Sequence, residues 1–416
     1  MITHLEKERP PRNDPCHCGS GRKYKRCCIE ADERAAAAER RRAASVRQLS
    51  YEDASPEVLA LKKETELRQR SIREYLARDF GVLINIVSPV DLSGRKIWAI
   101  GSRVYTDCPP KQTFHEFILG LLRQTIGREW AEAQTALPEA DQHYLYRSSH
   151  DYAAWTERVA REEERGPDGL WSAAPSGSAQ YLISVAWDLA LLLQASLRPL
   201  PEPLLERLRD PRAFQGARYE LAVVGLFAKL NCAIEFLDDE KLRDKKHGEF
   251  IATHRPSGQR FAVEAKSRHR EGVINQPGEF SAEEPLRGDK RSVRRLLRDA
   301  MEKDAGGLPL LIFLDINTPA EDPVPGLEPK WQSEIQALAG RMPQITDEEA
   351  PPFDALYVTN FSPHYDGSEV ARGGEWLCLR ALDAAAAVPI QLIGQINYAL
   401  DRSGRVPEIG IGGEVR

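Results

Sequence analysis

The chain has 416 residues, of which 42% are hydrophobic and 29% charged, with a net charge of −6 and seven cysteines. This length accommodates two or three domains, and the composition is ordinary for a soluble globular protein. The negative balance excludes an overall basic coat for nucleic acid but leaves room for a local basic groove. Four of the seven cysteines fall in one short stretch, which argues for a reducing compartment rather than a disulfide framework. The first residues, with Glu6, Lys7, Glu8 and Arg9, lack the apolar core of a signal peptide. The longest apolar run, Tyr181 to Ala195, is interrupted by Asp188 and Gln194 and is too short for a bilayer. A cytoplasmic location without membrane contact is expected.

The first informative segment runs from Arg12 to Cys28. Cys16 and Cys18 are followed, after eight residues, by the adjacent Cys27 and Cys28. Four thiolates close a tetrahedral zinc site, and Gly19 and Gly21 permit the tight turn between the two ligand pairs. So short a segment cannot bury enough apolar surface to fold alone, and a metal is the expected staple. His17, between two ligands, is read as a spectator. Arg22, Lys23, Lys25 and Arg26 surround Tyr24, a combination that grips phosphates and stacks a base. Residues 12–28 resemble the SEC-C motif, known from the tail of the protein-translocation ATPase. That resemblance implies a structural Zn²⁺ on the four cysteines and contact with a ribosome, chaperone or nucleic acid.

Residues 31–79 read as a polar helical spacer rich in Ala, Arg and Glu. Ser55 and Pro56 start its second helix, where Leu59, Leu67, Ile72 and Leu76 supply a partial apolar side. Residues 80–210 read as a mostly helical α+β region of unknown role. Strands are expected at Val82–Val87 and Lys96–Tyr105, with a hairpin turn at Ser93 and Gly94. Helices are expected at 112–134, 141–164 and Gln180–Ala195. His115 and Glu116 lack the second histidine of a helical zinc site. Cys108, Cys232 and Cys378 are isolated and read as small buried hydrophobes.

From residue 211 the pattern changes. A helix at Ala217–Phe227 carries Glu220 near its start. Strands follow at Cys232–Leu237, at Gly248–Thr253 with Glu249 at its head, and in the run through Phe261 that ends at Lys266. Residues on alternate positions of a strand share a face. Glu264 and Lys266 therefore project together, a carboxylate and an ammonium suited to holding a hard cation and orienting water. A basic amphipathic helix at Arg291–Lys303 leads to a buried strand at Leu308–Asp315. Past residue 320 come a proline-rich loop, a helix near Trp331–Met342, strands near Leu356–Phe361 and Ile390–Ile396, and a glycine-rich tail from Ile409.

The order helix, three strands, helix, strand, together with these acids, resembles the PD-(D/E)XK nuclease superfamily over residues 211–320. The resemblance implies an α/β, restriction-endonuclease-like mixed sheet flanked by helices in a domain spanning 211–416. It implies Mg²⁺ or Mn²⁺ on Glu249 and Glu264, assistance from Lys266, a positioning role for Glu220, and phosphate stabilisation by Arg268 and Arg270. Glu249 stands where the family has Asp; Asp239 and Asp244 are the fallback acids. The implied activity is metal-dependent phosphodiester hydrolysis, with DNA the substrate by analogy. The alternative is an inactive SEC-C adaptor.

Overall fold

The computed structural model describes residues 10–33, 56–86, 89–92, 95–166, 169–196, 200–237, 247–272, 274, 293–318, 329–341, 353–361, 375–381 and 388–409. Contacts divide the chain into two compact units, residues 1–66 and 67–416. In the first, a cysteine-bearing loop over residues 10–28 runs into helical residues 29–33. The polar helix expected around residues 35–42 lies outside the described residues. Helix α1 (Pro56–Phe80) begins at the expected proline, and Ile72 and Leu76 are buried while Leu67 is 57% exposed.

In the second unit a three-stranded antiparallel meander, β1 (Val90–Leu92), β2 (Arg95–Ile100) and β3 (Arg103–Cys108), precedes a helical layer. That layer comprises α2 (Phe114–Ile126), α3 (Arg128–Thr135), α4 (Tyr144–Glu162), α5 (Gly177–Ala195), α6 (Glu202–Arg209) and α7 (Phe214–Lys229). Thr113 opens α2 with a capping box, its hydroxyl accepting from Glu116 N and its own N–H donating to the Glu116 carboxylate. Helix α5 is apolar on most of its circumference and correspondingly buried, with Gln180, Ser184 and Asp188 along one half-buried stripe.

Six strands then form one mixed sheet in sequence order: β4 (Cys232–Phe236), β5 (Phe250–His254), β6 (Gln259–Ser267), β7 (Leu310–Asp315), β8 (Ala355–Asn360) and β9 (Glu375–Ala381). The first three pair antiparallel, β6, β7 and β8 run parallel, and β9 closes the edge antiparallel. Helices α8 (Val293–Met301) and α9 (Lys330–Ala339) lie in the two parallel connections, and α10 (Ile390–Leu400) follows β9. Strands β7 and β8 are buried throughout, as parallel strands covered on both faces must be. One core, running from Ile72 to Ile409, includes Val263 and Ala265 and joins the helical layer to the sheet. A second, smaller core on the opposite face holds Ala262, Ile312 and Leu314 against α8 and α9.

Three expectations are corrected. Residues 82–86 are not a strand, although Val82, Ile84 and Ile86 are buried and Leu83 and Asn85 exposed. Their alternation is real, but their backbone groups are met singly. Leu83 N donates to Lys229 O, and Asn85 O accepts from the Gln194 side chain. The run Lys96–Tyr105 is two strands, folded at Gly101 with φ +58°. Ile390–Ile396 is helical: Leu392, Ile393, Ile396, Ala399 and Leu400 are buried at helical spacing, so the β-branched content misled. Helix α6 and strand β9 have no counterpart in the sequence pattern.

Candidate functional site

The cysteine loop is drawn together by its backbone. Cys16 N donates to Arg22 O, Tyr24 N to Asp14 O and Gly19 N to Cys16 O, while Pro15 and Lys23 form an antiparallel bridge. Gly19 and Gly21 adopt φ of +76° and +69°, which only glycine takes without strain. All four sulfurs, of Cys16, Cys18, Cys27 and Cys28, lie within 4.8 Å of one another. The Cys18–Cys27 and Cys27–Cys28 separations are 3.4 and 3.8 Å. Sulfurs about 2.3 Å from one tetrahedral zinc are about 3.8 Å apart, so the donor set fits a closed structural site. The Ser20 hydroxyl pulls the Cys18 thiol down to about 6. Cys28 is pushed upward, first by hydrogen bonding to Cys16 and then to Cys18 and Cys27, because the crowded sulfurs hold its proton between them; repulsion from Cys16 adds least. A cation at the centre of such a group displaces that proton.

Beside it, Asp32 Oδ2 accepts from Tyr24 Oη at 2.9 Å and pairs with His17 Nε2 at 2.8 Å. His17 is thereby turned to Asp32 rather than to the sulfurs. Tyr24 is buried, so its ring braces the loop and does not offer the face expected for base stacking. Arg22, Lys23, Lys25 and Arg26 are exposed, as a phosphate-gripping surface requires.

A second polar cluster forms where β5 meets β6. Glu249 N donates to Val263 O, placing Glu249 beside Glu264 at the head of the β5–β6 ladder. Lys266 Nζ lies 3.1 Å from Glu249 Oε1 and 2.6 Å from Glu264 Oε1. Lys303, in the turn after α8, lies 3.6 Å from the same Glu264 oxygen. Glu264 is fully buried, and its Oε2 has no hydrogen-bond partner among the described residues. The side chains of Glu249, Lys266 and Lys303 remain 22–24% exposed, leaving an opening. Gly248 lets the backbone approach closely: a Cβ there would lie 3.0 Å from Val263 O. Burial raises the Glu264 carboxyl above the usual carboxylate range, while Lys266 opposes the shift. Burial works against the Lys266 ammonium, but Glu264 and Glu249 together hold it above the ordinary lysine range. An ammonium pinned in this way keeps its proton.

Glu220 does not join this cluster. It is buried on α7 and bound to Arg207 Nη1 at 2.6 Å. The period of two in β6 explains why. Val263 and Ala265 face the core that contains α7, whereas Ala262 faces the core under α8. Glu264 and Lys266 share the second face. Arg268 and Arg270 are also buried, at 2% and 4% exposure, and so do not offer the open phosphate contact expected of them. Nearby, Asp315 is a structural knot: it accepts from Ser267, Thr359 and Phe361 N and pairs with Arg218 at 3.4 Å. Asp239 and Asp244 lie outside the described residues.

The residue missed from sequence is Lys303. Its position at the end of a basic amphipathic helix gave no sign that it turns inward to Glu264. Among the described residues, the cysteines form the only group of three or more ligand side chains close enough to share an ion. Two carboxylates still suit a hard cation that keeps several waters, as Mg²⁺ does. Among the described residues, no helix is long and apolar enough to cross a membrane.

Residues 12–30 match the SEC-C motif. Over 23 residues the chain is 65% identical to the uncharacterized protein YecA of Escherichia coli K12 and, equally, to that of Shigella flexneri. The shared segment is 6% of this chain and 10% of each relative's length. No solved structure matches the chain. Sequence similarity and sulfur geometry agree on one conclusion: residues 12–30 form a SEC-C zinc-binding motif whose four cysteines are placed to hold a metal ion.

Proposed function

We propose that residues 211–416 are a divalent-metal-dependent nuclease-like domain of the PD-(D/E)XK kind, and that the SEC-C motif is its docking element for nucleic acid or a protein partner. The supporting observation is the convergence of Glu249, Glu264 and Lys266 on one half-open cluster. The order α7, β4, β5, β6, α8, β7 and the β6–β7 parallel pair fit the same reading. Glu249 and Glu264 would hold the cation, and the unpartnered Glu264 Oε2 is the atom best placed to do so. A cation bound there supplies Lewis-acid polarisation of a phosphoryl oxygen and a water acidified for attack. Lys266 orients that water and steadies the charge developing on phosphate. Glu220, paired with Arg207, has no part in this reading. DNA is the proposed substrate by analogy with the superfamily.

A second reading is an inactive SEC-C adaptor. One observation favours it: Lys266 already bridges both carboxylates, and with Lys303 it balances their charge. Incubation of the pure protein with DNA and with RNA in Mg²⁺ or Mn²⁺, beside Lys266→Ala, decides between them. The nuclease reading expects a loss of about 100-fold or more in the variant. Equal cleavage by both proteins removes Lys266 from the chemistry, and cleavage by neither leaves the adaptor.

A further inference from the structure

The second lysine of the cluster carries an inference that rests on the nuclease reading and goes beyond it. Lys303 is held in place by its backbone. Its N–H donates to Ala300 O at the end of α8, and the next residue, Asp304, bridges to His247, two residues before Glu249. Lys303 therefore stands fixed against the head of β5, with its ammonium 3.6 Å from Glu264 Oε1 and partly open to solvent.

Charge counting gives this position its meaning. Glu249 and Glu264 carry two negative charges, and Lys266 and Lys303 two positive ones, so the cluster is balanced as it stands. Lys266 Nζ contacts both carboxylates at 3.1 and 2.6 Å and thus occupies the space between them. A divalent cation on the same oxygens displaces that ammonium and leaves an excess of two positive charges. Such an excess in a half-buried place is costly, because water cannot fully solvate it. A polyanion removes it.

The geometry points to Lys303 as a contact for a nucleic-acid phosphate, and to a site that loads its divalent cation together with that phosphate rather than before it. Lys303 and the displaced Lys266 then exchange a carboxylate for a phosphodiester oxygen, and each remains paired. Coupling of this kind is reciprocal: the polyanion tightens the cation by the same factor as the cation tightens the polyanion.

Calorimetric titration of Ca²⁺ into the full-length, zinc-loaded protein tests this, with and without a short DNA duplex and after subtraction of Ca²⁺ bound by the duplex alone. For the wild type, the duplex is expected to tighten Ca²⁺ by about tenfold or more. Lys303→Met, with one positive charge fewer, is expected to bind Ca²⁺ more tightly than the wild type without DNA and to lose most of the coupling. Lys303→Arg is expected to retain the coupling, which separates a phosphate contact from a merely structural ion pair. A wild type that binds Ca²⁺ equally with and without the duplex overturns the proposal and leaves the metal-site reading standing. So does a Lys303→Met variant that keeps full coupling. A wild type and a Lys303→Met that bind no Ca²⁺ in either condition overturn both.

Discussion

At the residue scale, Lys266 is the group that links the two carboxylates. In the folded protein it compensates Glu249 and the fully buried Glu264. Lys266→Met leaves Glu264 less compensated and is expected to lower stability by roughly 1–3 kcal/mol, less than for a fully sealed pair because the site is part-open. Added Mg²⁺ should restore part of the loss, since a ligand that binds only the folded state stabilises it; thermal melts with and without Mg²⁺ measure this. His143 gives a separate prediction. It is fully buried, caps α4 by accepting from Leu145 N through Nδ1, and is wedged between Trp130 and Phe214. Its Nε2 has no partner among the described residues, and burial pulls its pKa down to about 4. With the folded value below the unfolded one, the stability linked to neutral His143 is fully present above about pH 6.5. It is lost as pH falls towards 4, by roughly 3 kcal/mol in all. His143→Asn keeps a capping group and should flatten that part of the stability–pH curve. An unchanged slope between pH 6.5 and 4 would count against this account.

At the scale of elements, the clearest strain test is the β2–β3 turn. Gly101 has φ +58°, and an added Cβ would lie 2.4 Å from Leu193 O on α5. Its N–H donates to Gln194 Oε1 at 2.6 Å. Gly101→Ala therefore combines a left-handed backbone with a clash and is expected to cost roughly 2–4 kcal/mol, read as a shift in the urea midpoint. Elements were most legible where periodicity and punctuation agreed. Helix α5, strands β4 to β8 and the start of α1 at Pro56 fall close to their expected places. Legibility failed where tertiary contacts overrode local pattern. Residues 82–86 alternate like a strand yet lack a ladder. Helix α10 is rich in isoleucine yet packs with a helical stripe. The candidate site divides in the same way. Glu264 and Lys266 lie on one strand, so a period of two places them together, and the β5–β6 register brings Glu249 alongside. Glu220 lies on a separate helix, and only the folded packing decides which face of the sheet that helix covers.

At the scale of the whole molecule, the two compact units, 1–66 and 67–416, carry different kinds of stability. The SEC-C loop buries little, with Cys16 and Tyr24 as its buried apolar residues among those described. A metal on its four cysteines would supply the missing stability, since zinc binding is worth on the order of 10 kcal/mol in small zinc peptides. The second unit has an extensive core and needs no such staple. Cys27→Ser, or a strong chelator, should reduce bound zinc to background by elemental analysis while the main melting transition persists. Loss of both together would show that the units are not independent. The claim that matters most is that Glu249 and Glu264 hold a divalent cation. Anomalous X-ray scattering from crystals of the protein bound to a short DNA duplex and soaked in Mn²⁺ tests it most directly. The account predicts a manganese peak touching both carboxylates, with Lys266 displaced, and no peak there in Glu264→Gln. Manganese density absent from that place, with Lys266 still bridging the two glutamates, would contradict it.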